Sequence, residues 1–268
     1  MENSMKSVLI TGAYGGMGHA ATELLAKQGF RVFAMDLHVG APAENVIPIQ
    51  ADITQEESLR KAFSQVKQST QQLYAIVHFA GIYMLDSLVE MENDQFRRIM
   101  DVNLRGAYLV NKLFLPLLQP GSRIVMTTSE LAPLDPLPFT GIYAVSKAAL
   151  DKYAYSLAME LQLLKIRVSV LRAGAVQTNM LGVSTTALDR FCEKTKLYSC
   201  NATRFRKIVQ RVEARCIPTE KLAQKVLAIL CKRKPGFAYT INRNPLLLLL
   251  HLLPKRLQLS IIKKILQK

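Results

Sequence analysis

The 268-residue chain is half hydrophobic and 21% charged, which suits one large α/β domain with a substantial core and excludes a disordered polymer. No uninterrupted apolar stretch approaches the roughly 18 residues of a spanning helix, and the polar opening Met1–Lys6 predicts no secretory leader. The net charge of +15 is concentrated at one end: residues 1–189 carry 16 Lys/Arg against 17 Asp/Glu, whereas residues 190–268 carry 19 against three. Apolar runs then alternate with amphipathic stretches. Ser7–Thr11 predicts a strand, Met17–Gln28 a helix, Phe30–Asp36 and Val46–Gln50 strands, and Gln55–Gln68 a helix. Leu73–Phe79 predicts a strand, Asp94–Leu118 one long helix, Ser122–Thr128 a strand, Tyr143–Leu163 a helix and Ile166–Leu171 a strand. Pro218–Cys231 closes the series as a helix and Gly236–Ile241 as a last strand. Strands separated by helices of this length predict a doubly wound parallel sheet with helices on both faces, a single-domain Rossmann fold over residues 1–243.

The turn after the first strand reads Thr11-Gly12-Ala13-Tyr14-Gly15-Gly16-Met17-Gly18. Glycines there allow a tight turn and close backbone approach to a pyrophosphate, and the following helix offers its unpaired N–H groups to the phosphates. The plain alternative is an ordinary strand-to-helix connection. The position of the turn, after a strand and before a helix near the N-terminus, favours a dinucleotide site. Asp36 ends the second strand. A carboxylate there accepts from both hydroxyls of the adenosine ribose and repels a 2′-phosphate, which predicts NAD in preference to NADP; the plain alternative is a solvated strand-end aspartate. The four cysteines form no C-x-x-C and the four histidines no H-E-x-x-H, so no metal site is expected and the thiols are expected to be reduced, in a cytoplasmic setting.

Tyr143-Ala144-Val145-Ser146-Lys147 sets a tyrosine and a lysine four apart, on one helix face. A tyrosine needs a neighbouring positive charge to act as acid and base near neutral pH. With these residues the sequence resembles the short-chain dehydrogenase/reductase family over about residues 5–242. The resemblance rests on Thr11-Gly12, Gly16 and Gly18, Asp52-Ile53, Ala80-Gly81, Asn103, Ser129, Tyr143 with Lys147, and Val176 with Thr178. It implies that Tyr143 exchanges a proton with the substrate oxygen, Ser129 hydrogen-bonds that oxygen, and Lys147 binds the nicotinamide ribose. It further implies that Asn103 holds a water joining Lys147 to solvent. The turn residues Gly12, Tyr14, Gly16, Met17 and Gly18 would meet the nucleotide, together with Ala80 and Gly81. Asp52 and Ile53 would flank the adenine, and Val176 and Thr178 the carboxamide.

The chain departs from the family pattern in three places. His78-Phe79 stands where two asparagines are usual, so a strand-tying side chain is missing. Ala173-Gly174 replaces the usual Pro-Gly. Ser129 lies 14 residues before Tyr143, where 13 is commoner, so Thr128 is the fallback hydroxyl.

Residues 179–217 are expected to form a substrate lid, with Met180, Leu181, Leu188, Phe191, Leu197, Tyr198 and Phe205 among many Lys and Arg. Three readings of it stand: an apolar underside over a hydrophobic substrate, a solvated basic face over core residues, or arginine capture of an acidic group. The tail 244–268 is leucine-dense between prolines and then amphipathic and basic. That pattern predicts a helix lying peripherally in a membrane interface, with packing on the core or on a second subunit as the alternative. No nucleic-acid recognition module is present.

The lid, the tail and the Pro138-Phe139 loop look similar to hydroxysteroid and retinol dehydrogenases. The expectation is therefore an NAD(H)-dependent oxidoreductase interconverting a secondary alcohol and ketone on a lipid-like substrate, and by family analogy a homo-oligomer. The rival is a non-catalytic NAD-binding protein recruited to a membrane or partner by its basic tail.

Overall fold

The computed structural model describes residues 5–213 and 215–267, the side chains of 179–185 and 210–213 excepted. Seven strands form one parallel sheet: β1 (Ser7–Thr11), β2 (Arg31–Asp36), β3 (Val46–Gln50), β4 (Leu73–His78), β5 (Leu118–Ser129), β6 (Arg167–Ala173) and β7 (Ala238–Ile241), in the order β3-β2-β1-β4-β5-β6-β7. Pro48 lies in β3, at the sheet's edge, where a missing N–H costs no inner ladder bond. The strand order reverses between β1 and β4, and a ligand crevice forms outside the strand ends at such a point.

Alternate residues of each strand feed two cores. Leu9, Phe33, Ile76 and Ile124 pack on one face with residues of α2 (Glu56–Ser69), α4 (Gly106–Phe114) and α5 (Gly141–Leu161). Val8, Val32, Val77 and Val125 pack on the other with residues of α1 (Gly16–Lys27) and α8 (Thr219–Cys231). Both faces are covered, so the strands read as continuous apolar runs, as expected of a parallel sheet.

Two elements differ from the sequence reading by more than two residues at an end or in kind. The long helix expected over Asp94–Leu118 is three segments: α3 (Asn93–Met100), a π turn over Asp101–Arg105, and α4, followed by a 3-10 turn at Leu115–Leu117. The π turn widens the helix at Asn103, a device common at functional sites. Strand β5 begins at Leu118, four residues early. The Ser122 hydroxyl donates to Leu73 O at 2.7 Å and accepts from Gln119 N at 3.0 Å, carrying the strand through Pro120 and Gly121.

The lid leaves and rejoins the sheet at one place. Gln177 N donates to Ile217 O at 2.7 Å and Ile217 N to Ala175 O at 3.1 Å, closing its base. Above this lie α6 (Asn179–Lys194) and α7 (Ser199–Glu213). Leu188, Phe191, Ala202 and Phe205 are buried in a third cluster with Leu85 and Phe139. Phe139 holds a left-handed backbone (φ +64°), a conformation that costs a non-glycine residue energy. Ring contacts at 4.5 Å to Phe191 and 5.1 Å to both Tyr198 and Phe205 offset it. Met180 and Leu181, expected on the lid's underside, fall among the side chains outside the description.

The tail folds back on the lid. It comprises α9 (Pro245–Leu252) and α10 (Lys255–Gln267). Asp135 accepts from His251 at 2.9 Å and from Lys255, and Asn201 donates to Leu266 O at 2.7 Å. The Lys255 ammonium first, then His251, hold the Asp135 carboxyl down at about 2. The inward faces of the tail thus pack on the fold, the alternative reading of this segment, while many of its leucines remain outside. Residue 268 lies outside the described residues. No described helix is long and apolar enough to cross a membrane.

Phe139 is the lid's main aromatic anchor. Phe139→Ala is expected to speed amide hydrogen exchange in α6 and α7 by about a hundredfold, a local loss of roughly 3 kcal/mol. Exchange in β1 and β4 should stay unchanged, and equal protection of the lid in both proteins would contradict the assignment.

Candidate active site

The site lies where β1, β4, β5 and β6 end. Gly12 has φ +67°, and a Cβ on it would fall 2.5 Å from Ala80 N. A Cβ on Gly18 would fall 2.0 Å from Gly12 O. Only glycine fits either place, so the turn is held tight between β1 and β4. A Cβ on Gly16 would meet Thr178 at 2.8 Å, which puts Thr178 against the start of α1. No side chain caps α1 and its first turn carries no acid, so its N-terminal N–H groups and partial positive charge are open to an anion.

Asp36 stands beside this turn. Its Oδ2 accepts from Tyr14 N at 2.9 Å and its Oδ1 from Leu37 N at 2.8 Å. Lone pairs remain on both oxygens for further donors. Ala80 N donates to Thr11 O at 3.0 Å, and Gly81 lies between Asn103 and Lys147. Met17 and Val176 line the same cleft. Asp52 is used differently: its Oδ1 accepts from Thr54 N at 2.8 Å and Thr54 Oγ1 at 2.7 Å, shaping the turn before α2. Ile53 packs against Gly106. Three buried hydroxyls, those of Tyr14, Thr22 and Thr127, have no partner among the described residues. The tight turn, open helix end and strand-end carboxylate fit a dinucleotide.

Tyr143 and Lys147 project from one face of α5, and Ser129 ends β5. The Ser129 hydroxyl hydrogen-bonds the Tyr143 hydroxyl, and the Tyr83 ring lies edge-on to Tyr143 at 4.9 Å. Burial pushes the Tyr143 phenol above its ordinary range and Tyr83 adds to this, while Ser129 opposes both. Burial also lowers the Lys147 ammonium, to about 8. Lys147 Nζ donates to Thr127 O at 3.2 Å and sits 5.9 Å from the Tyr143 ring centre.

Asn103 sits in the π turn with its side chain fully engaged. Its Oδ1 accepts from Ile82 N at 2.8 Å, and its Nδ2 donates to Ile82 O and Ser146 Oγ, each at 3.0 Å. Ser146 in turn donates to Tyr143 O at 2.8 Å. The Asn103 amide thus ties the segment after β4 to the helix that carries Tyr143. Thr128, the fallback hydroxyl, faces elsewhere: it donates to Asp151 Oδ1 at 3.2 Å, and Arg172 binds the same carboxylate at 2.9 and 2.7 Å. Ser129 is therefore the hydroxyl that meets Tyr143, and the extra residue is absorbed in the loop before α5. The residue that stands there, His78, ties β4 to α4 instead of to a neighbouring strand. Its Nε2 lies 2.9 Å from Asn111 Oδ1, and burial lowers it to about 4, so it is neutral.

These groups face a cavity of about 230 Å³. Phe79, Ile82, Leu137, Phe205, Val209 and Leu247 make its wall largely apolar. Lys147 is the only lysine or arginine among the described lining residues, which matches the apolar-underside reading of the lid and leaves the arginine-capture reading without support. Arg206 instead pairs with Asp189 at 2.8 Å and Lys194 with Asp86 at 3.6 Å. Glu130, Tyr83 and Leu247 in the wall were not singled out from sequence. Tyr83 and Leu247 arrive by long-range contacts, whereas Glu130 directly follows Ser129 in the chain. Glu130 is buried, which raises its carboxyl, and its Oε2 accepts from Asn244 N at 2.6 Å.

A family model described as short chain dehydrogenase matches residues 6–189. Mouse (Mus musculus) estradiol 17-beta-dehydrogenase 2 is 34% identical over 191 residues, covering 66% of this chain and 50% of that protein. The chain thus spans about half the length of that relative. The 3-amino-tetrahydro-pyrrolizinone reductase of Xenorhabdus hominickii is 30% identical over 216 residues, covering 76% of this chain and 75% of that one. A short chain dehydrogenase family protein from Francisella tularensis superposes with a TM-score of 0.74 at 23% identity, over 89% of this chain and 97% of that one, a likeness of fold.

A lysine that is lowered to about 8 in the native protein and ordinary when unfolded binds fewer protons folded between those values. Native stability relative to Lys147→Met should therefore rise with pH across that window. The variant is expected to be the more stable by about 3 kcal/mol near neutral pH, with the gap closing toward about pH 10.5. Paired denaturant titrations check this, and a gap independent of pH would contradict it.

Proposed function

The chain belongs to the short-chain dehydrogenase family, and on that premise we propose that it interconverts a secondary alcohol and a ketone with NAD(H), on an apolar substrate such as a steroid, retinoid or acyl derivative. The observation that carries this reading is the Ser129–Tyr143 hydroxyl pair facing an apolar cavity, with Lys147 one helical turn beyond. NAD(H), when bound, supplies or accepts the hydride and, in its oxidised form, brings a positive ring. The chain's own residues handle the proton and the oxygen. In reduction the Tyr143 O–H gives its proton to the carbonyl oxygen; in oxidation the phenolate takes it from the alcohol. Ser129 hydrogen-bonds the same oxygen, and the Lys147 ammonium stabilises the phenolate across the short gap between them.

The nucleotide would lie along Gly12–Gly18, with its phosphates at the uncapped N-terminus of α1 and its ribose at Asp36. A 2′-phosphate would meet the Asp36 carboxylate, which supports NAD. The name of the mouse relative supports a steroid-like substrate, as does the apolar lining. A protein that only held nucleotide would have no use for a serine poised on a half-buried tyrosine, so the non-catalytic rival is not favoured. The exposed Tyr108, Val145, Tyr155 and Met159 on α4 and α5 support a homo-oligomer formed across those helices.

The test follows nicotinamide absorbance with steroid, retinoid and acyl ketones and alcohols, using NAD(H) and NADP(H) in parallel. Turnover should favour NAD(H), and Tyr143→Phe should lower kcat by about 10²- to 10⁴-fold while nucleotide binding is kept. Asp36→Ala should shift the ratio of kcat/KM values toward NADP(H). Nucleotide binding without turnover on any of the panel, unchanged in Tyr143→Phe, would overturn the enzymatic reading.

A further inference from the structure

The helices of the tail do two things at once. Leu247 of α9 lines the cavity, so this helix is part of the pocket's roof. The roof is held down by acids of the loop after β5: Glu130 accepts from Asn244 N, and Asp135 from His251 and Lys255. On the opposite side, Leu246, Leu249 and Leu252 recur at three-residue spacing along α9, each more than half exposed. Leu257, Leu259 and Ile265 of α10 are likewise more than half exposed. The two helices are joined by Leu253 and Pro254 alone, and the buried Gln258 donates to His251 O at 3.3 Å and Leu253 O at 2.8 Å, which ties the start of α10 to the end of α9.

The charge that the tail itself carries is of one sign. Residues 244–268 contain five Lys/Arg and no Asp or Glu. Arg256, Lys263 and Lys264 are exposed, and no ion pair is recorded for them among the described residues. Bare leucines beside unopposed cations complement an anionic lipid surface, where the apolar side chains enter the acyl boundary and the cations meet the headgroups. A second copy of the chain would set one cationic face against another.

We propose that the outward face of α9 and α10 docks on an anionic lipid bilayer and sets the roof of the cavity against the membrane. The docking depends only on that face. The consequence that an apolar substrate passes from the bilayer under α9 rests on the function proposed above.

The full chain is mixed with phosphatidylcholine vesicles, alone or with roughly a third phosphatidylserine, and sedimented. Wild type should bind the phosphatidylserine vesicles and lose that binding in high salt. Arg256→Gln with Lys263→Gln and Lys264→Gln should weaken binding about a hundredfold, as expected for three cations at an anionic surface. Leu246→Ser with Leu249→Ser and Leu252→Ser should also release the protein. Circular dichroism and nucleotide binding confirm that each variant is folded, and they are read independently of turnover, so a failed substrate panel leaves this result standing. Failure of the wild type to bind, or equal binding by both variants, would overturn the proposal. So would a wild-type dimer that the leucine variant dissolves without any vesicle binding.

Discussion

The arrangement of the site depends on keeping two ionisable side chains, Tyr143 and Lys147, in one largely apolar pocket. Removal from water disfavours the charged form of each: the phenol is pushed up and the ammonium down to about 8. They stand one helical turn apart on one face of α5, and the surrounding structure holds that geometry. The Asn103 amide spans from the backbone of Ile82 to Ser146, the π turn aims it there, and Gly81 leaves room between it and Lys147. Ser129 supplies a neutral hydrogen bond that favours the phenolate.

The same apolar lining continues in the upper wall. Aromatic contacts to Phe139 seat the lid, and the tail closes over its edge through Leu247. Two carboxylates, Glu130 and Asp135, secure that closure from beneath. They bind a backbone N–H and two basic side chains and need no broad apolar interface of their own. The leucines turned outward are therefore not needed to hold the roof in place.

Much of this was legible in the sequence because buried parallel strands leave continuous apolar runs. Val46–Gln50 matches its strand in full, and β1, β2 and β4 match to within a residue. The glycine turn and the Tyr143/Lys147 pair were legible because backbone approach and helical spacing tolerate few substitutes. Other features leave no local mark. The π turn at Asn103 is a shift of one hydrogen-bond register inside an otherwise helical stretch. Pro120-Gly121 reads as a turn, yet the Ser122 hydroxyl carries β5 through it. An amphipathic basic tail satisfies a membrane surface and a protein groove equally well in sequence, and only its contacts to Asp135 and α7 show which faces turn inward. Tyr83 and Leu247 enter the cavity from segments whose own patterns are silent about it.

The central claim, that burial holds Tyr143 un-ionised until a positive charge comes to it, is tested most directly by ultraviolet titration of the tyrosinate signal, comparing the whole protein with Tyr143→Phe. The bare protein should show no Tyr143-dependent signal below the ordinary tyrosine range, and saturating NAD⁺ should move that signal down toward neutral pH. A Tyr143-dependent tyrosinate near neutral pH without nucleotide, or a signal that NAD⁺ leaves in place, would contradict the account.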